Sequence, residues 1–222
     1  ADLGAEKFLD IKSRILKQVP DAVVLVITCR AVAHTGIKNV LRHYNNLKRF
    51  GLNVIVAINK FTSDTPEEYE ELERNLNYFN INYAYVNGWA EGGLGCTDLA
   101  EKVVELCKVP VTFKPLYDVC DSTENKLKAL ARYYGTNKIE LSPRAQKAAY
   151  LYTMYNIPIC VAKTQYSFSD DPELLGAPED FTLHITDLKY CAGAEFIVAK
   201  SGKIFTMPGL PRVPSAEKID ID

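Results

Sequence analysis

Three apolar runs in the first ninety residues, each followed by a stretch of helical periodicity, restrict this chain more than any other feature. DAVVLVITC (21–29) and LNVIVAINKF (52–61) are nearly unbroken and rich in β-branched residues, as strands covered on both faces are, and INYAYVNG (81–88) reads as a third strand. Between them, IKNVLRHYNNLKRFG (37–51) sets Ile37, Val40, Leu41, Tyr44, Leu47 and Lys48 on one helical face and stops at Gly51. TPEEYEELERNLNYF (65–79) opens with a Thr cap, Pro in the first turn and early acids, and TDLAEKVVELCK (97–108) has Thr97 as its expected cap. Strand–helix alternation with short connections implies an α/β fold, a parallel sheet with covering helices.

The pattern changes after residue 110. STENKLKALARYYG (122–135) and SPRAQKAAYLYTMYN (142–156) read as consecutive helices, PICVAKT (158–164) as a strand, and QYSFSDDPELLGAPED (165–180) as a long loop. FTLHITDLKY, AEFIVAK and KIFTMPG suggest three more strands, with Gly193, Gly202 and Gly209 near the turns. We therefore expect a parallel α/β part over 1–110 and a smaller α+β part over 111–222.

Composition removes several function classes. Of 222 residues, 47% are apolar and 24% charged, so a packed core is affordable and disorder is confined to the ends. A net charge of −2 argues against a nucleic-acid partner. No apolar run reaches the ~20 residues that span a bilayer, so no membrane association is expected. The six cysteines lie far apart and partly within apolar runs, which fits reduced thiols and a cytoplasmic location. The histidines, His34, His43 and His184, are scattered and suggest no metal site, and His43 should face solvent on its helix. The chain opens without Met, and both ends look cut from something longer.

Ligands on open α/β sheets bind beyond the carboxyl ends of the strands. Three loops leave such ends: TCRAVAHTG (28–36), NKFTSD (59–64) and NGWAEGGLG (87–95). The third joins a strand to a helix start through glycines, which lets a ligand approach backbone N–H groups. Its Trp89 is the only Trp of the chain. Phe61 ends the second strand at the same edge, and two such aromatics can clamp a flat heterocycle. The plainer readings are a tight turn with Trp89 packed as a lid and a Phe61 that closes the core. INKFTSD is not a guanine-reading motif, because Thr62 stands where the acid belongs and Asp64 falls two positions late. No G-x-x-x-x-G-K-[ST] pattern occurs, since Gly202-Lys203 leads into Ile204. The polar residues after Lys163 and Thr164 read by composition as a solvated loop.

ADLGAEKFLDIK (1–12), VAINKFTSDT (56–65), WAEGGLG (89–95), ICVAKTQYSFSDDPELLGAP (159–178) and TMPGLPRVPSAEKIDID (206–222) resemble, in order, segments of formate–tetrahydrofolate ligases. The resemblance covers nearly the whole chain and corresponds to the C-terminal part of that family, whose context is P-loop NTPase-like. It implies an ATP-dependent ligase of one-carbon metabolism that forms 10-formyltetrahydrofolate from formate and tetrahydrofolate through formyl phosphate. ATP, with Mg as its usual counterion, and tetrahydrofolate would be the small-molecule partners. Residue by residue, Phe61 and Trp89 match the family's folate-sandwiching aromatics. Glu91, Gly92, Gly93 and Gly95 match the run beside the adenine, and Thr206, Pro208 and Gly209 match a further wall of the nucleotide site. Arg30 matches the substrate loop, but Ala33 and Thr35 stand where the family carries Lys and His, and Thr62 replaces a Pro. The family's phosphate loop lies upstream of the matching segments, so the isolated chain is expected to be inactive and no catalytic residue is assigned. An inactive remnant that binds folate, nucleotide or a partner subunit is the alternative, with homo-oligomers or association with an N-terminal part as expected assemblies.

Overall fold

A computed structural model describes residues 4–202 together with Val213, Pro214 and Glu217. The chain begins with a helical rod: α1 (Ala5–Lys7), a π-helical turn over Phe8–Lys12, and α2 (Ser13–Leu16). The α/β part follows as β1 (Val23–Ile27), α3 (Cys29–Thr35), α4 (Ile37–Arg49), β2 (Val54–Asn59), α5 (Pro66–Tyr78), β3 (Tyr83–Val86), α6 (Gly88–Glu91) and α7 (Thr97–Cys107). The later part comprises α8 (Thr123–Tyr134), β4 (Lys138–Leu141), α9 (Pro143–Tyr152), β5 (Ile159–Ala162), β6 (Thr182–Cys191) and β7 (Phe196–Ser201).

The first sheet has the order β1-β2-β3 and is wholly parallel, with Val23 level with Val54 and Val56 level with Tyr83. The α/β expectation is thus met. The second sheet, β4-β6-β7-β5, mixes parallel β4–β6 and β5–β7 pairs with an antiparallel β6–β7 hairpin. Helix starts follow local chemistry: Thr65 and Glu68 form a reciprocal capping box on α5, and Ser122 and Ser142 cap α8 and α9.

Several expectations change. Central β2 is buried along its length, but β1 is an edge strand whose Val26 is 61% exposed, so its apolar run does not mean cover on both faces. The segment 28–36, expected as a loop, is α3, capped by the Thr28 hydroxyl accepting from Ala31 N–H. Thr97 is not a cap; the cap position is Cys96, and the Thr97 hydroxyl donates to Leu94 O. His43 is buried against Phe168, with ring centroids 4.6 Å apart, rather than facing solvent. Lys48 is exposed, so the buried face of α4 is turned toward Asn39, His43 and Asn46. The short β4 was not foreseen because KIEL shows little apolar signal. The strand expected at KIFTMPG lies outside the described residues, as does Gly209.

One core joins both parts. Leu47, Phe50, Leu52 and Val54 pack in the same cluster as Leu130, Tyr133, Leu183 and Ile197. A second cluster, with Ile27, Val56, Ile58, Leu72 and Leu76, lies between the first sheet and its helices.

Candidate functional site

Because β1, β2 and β3 are parallel, their carboxyl ends open on one edge of the sheet. Register brings β2 and β3 out level: Asn59 pairs with Val86, and Lys60 N–H donates to Val86 O at 2.9 Å. Phe61 is the next residue of one chain segment, and Trp89 lies three beyond Val86 on the other. Neither is packed away. Trp89 is 86% exposed and Phe61 44%, so the readings of a packed Trp lid and a core-closing Phe are set aside. Both rings are thus exposed beyond the carboxyl ends of β2 and β3.

Arg30, in the first turn of α3 beyond β1, reaches the same place. Its guanidinium carbon lies 5.4 Å from the Phe61 ring centroid, and its Nη2 donates to the Ser63 hydroxyl at 3.3 Å. The 59–64 turn is held further by Asp64, whose Oδ2 accepts from Phe61 N–H at 2.9 Å and from the Tyr69 hydroxyl at 2.8 Å. Burial first, then the Asp64 carboxylate, raises the Tyr69 phenol pKa well above its ordinary value, so the hydroxyl stays a donor. Beside it, the Cys29 thiol is pushed up to about 11 by burial, with Asp64 and Glu68 adding to the effect. That thiol is no nucleophile at neutral pH.

The glycine-rich segment is a pair of single turns rather than an open loop. After β3, α6 carries Trp89, and a 3-10 turn over Leu94–Cys96 leads into α7. Asn87 ties the turn shut: its N–H donates to Gly95 O at 2.9 Å, and its side-chain amide donates to Glu91 Oε1 at 2.6 Å. A Cβ at Gly95 would lie 2.5 Å from Asn87 O, so only glycine allows this closure. Gly92, at φ +58 and ψ −139, turns the chain where a side chain would be strained. Glu91, Gly92 and Gly93 are exposed and Gly95 half-buried beside Trp89. Thr206, Pro208 and Gly209 lie outside the described residues.

The segment after β5 is not the solvated loop its composition suggests. Lys163, Ser167, Phe168 and Ser169 are all buried. Its ammonium donates to the carbonyls of Thr164 at 3.0 Å and Ser169 at 2.9 Å, and to Ser167 O. Burial lowers the Lys163 pKa to about 8, partly countered by Glu6. Asp170 Oδ2 then accepts from the His184 backbone N–H at 3.0 Å and pairs with His184 Nδ1 at 2.9 Å. No local pattern signals this pairing, because fourteen residues and a loop separate the partners.

The model of the family described as formate–tetrahydrofolate ligase matches residues 1–222. The formate–tetrahydrofolate ligase of Limosilactobacillus fermentum is 43% identical over 244 residues, a match covering 100% of this chain and 44% of that protein. Those of Limosilactobacillus reuteri and Staphylococcus aureus are each 42% identical with the same coverage. The chain thus spans 44% of the length of these curated relatives. Similarity along every residue of the chain, on an α/β frame, places it in the formate–tetrahydrofolate ligase family.

Proposed function

We propose that this chain supplies the folate-binding part of an ATP-dependent ligase that joins formate to tetrahydrofolate through formyl phosphate. The observation that carries the reading is the pair of exposed aromatics, Phe61 and Trp89, on adjacent ends of parallel strands. A pterin ring between them would cover apolar faces now wet and gain offset stacking, worth about 0.5–1.5 kcal/mol per ring pair beyond area burial. Arg30 backs the Phe61 ring and leaves its own remaining N–H groups for polar edges of the ligand. In the same reading Glu91, Gly92, Gly93 and Gly95 border the adenine of ATP; Thr206, Pro208 and Gly209, which the resemblance assigns to the nucleotide site, lie outside the described residues.

Titration of the purified chain with tetrahydrofolate, followed by Trp89 fluorescence, tests this. Quenching should saturate, and Phe61→Ala should weaken binding about tenfold. Equal affinity in the variant would remove the clamp.

The 222 residues hold no phosphate-loop pattern, and phosphoryl transfer draws its main electrostatic stabilisation from such a cradle. The proposal for this chain on its own is therefore binding without turnover. ATP-dependent hydroxamate formation from formate by the 222-residue chain would contradict it. A second reading, a non-catalytic folate or nucleotide binder, is favoured by α3. There the Thr35 hydroxyl donates back into its own helix at Ala31 O, 2.8 Å away, and Ala33 offers no polar group. Neither position therefore carries the Lys or His of the family pattern. Restoring them in a protein carrying the further chain of the relatives separates the readings, because turnover should rise only if α3 is what limits it.

A further inference from the structure

We infer that Asp64 is a positioning residue for the aromatic clamp: it holds the Phe61 backbone so that the ring is ordered before ligand arrives. The inference rests on the clamp reading above and extends it to a residue that touches no ligand in that reading.

Four observations combine. One carboxylate oxygen of Asp64 takes both Phe61 N–H, at 2.9 Å, and the Tyr69 hydroxyl, at 2.8 Å. The chain reverses in the same turn, with Asp64 N–H donating to Phe61 O at 3.1 Å. Tyr69 is fixed in turn by edge contact with Tyr85, with centroids 5.5 Å apart, while the Tyr85 hydroxyl donates to Glu73 Oε1 at 2.8 Å. The Lys60 ammonium lies 5.5 Å from both tyrosine rings, which places a cation within the same group. A chain of contacts therefore runs from the body of α5 to the Phe61 amide, and its last link is a charge-assisted hydrogen bond. Arg30, 5.4 Å from the Phe61 ring and bonded to Ser63, restrains the same turn from its side-chain end.

Asp64 has no competing structural duty at the helix start. Thr65 and Glu68 already complete the capping box of α5, with Thr65 N–H donating to Glu68 Oε2 at 2.8 Å. Nor does Asp64 form an ion pair among the described residues. Its two neutral donors are the Phe61 backbone and the tyrosine behind it. An exposed ring on an untethered turn would have to be ordered at the moment of binding, and that ordering lowers affinity by about five- to tenfold.

The test uses the full 222-residue chain and tetrahydrofolate, with Trp89 fluorescence as readout and thermal melting as a control on folding. Asp64→Ala should weaken binding about five- to tenfold, and Asp64→Asn, which keeps an acceptor in place, should restore it to within about twofold. Tyr69→Phe should fall between them. In a Phe61→Ala background, Asp64→Ala should cost nothing further, because the group it positions is gone. Equal and additive losses in both backgrounds would assign Asp64 a general structural role and overturn the inference. So would unchanged affinity in both Asp64→Ala and Tyr69→Phe while Phe61→Ala binds weakly. Unchanged affinity in Phe61→Ala would instead overturn the clamp reading, and the inference with it. Should Asp64→Ala fail to fold, Tyr69→Phe in the two backgrounds decides the same question.

Discussion

Asp10 sits on the first helical rod, 1% exposed, with Oδ1 accepting from Leu116 N–H at 3.1 Å and facing Arg14 at 3.3 Å. Its Oδ2 has no hydrogen-bond partner among the described residues. Burial outweighs these contacts and raises its pKa from 3.8 to about 6. The folded chain thus holds this proton over a range in which the unfolded chain releases it. Stability from this group is greatest near pH 4 and falls as pH rises toward 6, by about 2–3 kcal/mol in all. Asp10→Asn keeps the acceptor for Leu116 and removes the charge. The urea midpoint of the variant, measured relative to the parent, should rise between pH 4 and pH 6 and level off above. A constant difference across that range would contradict the assignment.

The contact between α4 and α8 shows how polar side chains can terminate a helix from outside. The last carbonyls of α8 are taken one after another by α4: Arg49 donates to Arg132 O at 3.1 Å, Asn46 to Tyr133 O at 3.0 Å and Arg42 to Tyr134 O at 3.2 Å. This is why a helix that reads as plainly amphipathic buries Asn46, while Asn39 donates to the Thr35 hydroxyl and His43 packs on Phe168. Its apolar stripe predicts the orientation only to within a turn, because the acceptor that draws Asn46 inward lies 87 residues away. Asn46 is the most enclosed of the three donors, and Asn46→Ala leaves the Tyr133 carbonyl without a partner in the core. We expect a loss of about 1–3 kcal/mol in chemical denaturation, with little change in the tetrahydrofolate binding proposed for the carboxyl ends of the strands. In the same way β1 reads as doubly covered from its residues, yet its Val24 and Val26 are exposed. Hydropathy reports that a strand can be buried, not which neighbours bury it.

Across the molecule, the change of architecture near residue 110 coincides with no break in the core. Leu47, Phe50 and Leu52 belong to the cluster that contains Tyr133, Tyr134 and Leu183. The Tyr134 hydroxyl also donates to Glu6 Oε1 at 2.7 Å, tying the first helical rod to the later part. Burying one such large apolar side chain is worth about 1.5–3 kcal/mol, so a cut at 110 would expose several at once. We propose that 1–110 and 111–222 differ in architecture but unfold together. A single calorimetric transition for the chain, and dye-binding, poorly cooperative behaviour of 1–110 alone, should be observed. Two separated transitions would show independent units.

Local chemistry was enough for the parallel α/β class, the caps at Thr65, Ser122 and Ser142, and the strand ends where Phe61, Trp89 and the glycine turn emerge. These depend on periodicity, capping and turn residues, all read within a few positions of chain. Family resemblance, carried by words such as AKTQYSFSDDP and TMPGLP, suggested the proposed ligands, which no periodicity names. Tertiary structure alone decided that 28–36 is helical against its neighbours, that Lys163 gathers a buried loop around its ammonium, and that His184 meets Asp170. It also decided that Asp64, out of place for reading a base, lies within hydrogen-bonding reach of both Phe61 and Tyr69. Each of these joins groups whose energies depend on burial and on partners brought together only when the chain folds, and no local pattern records them.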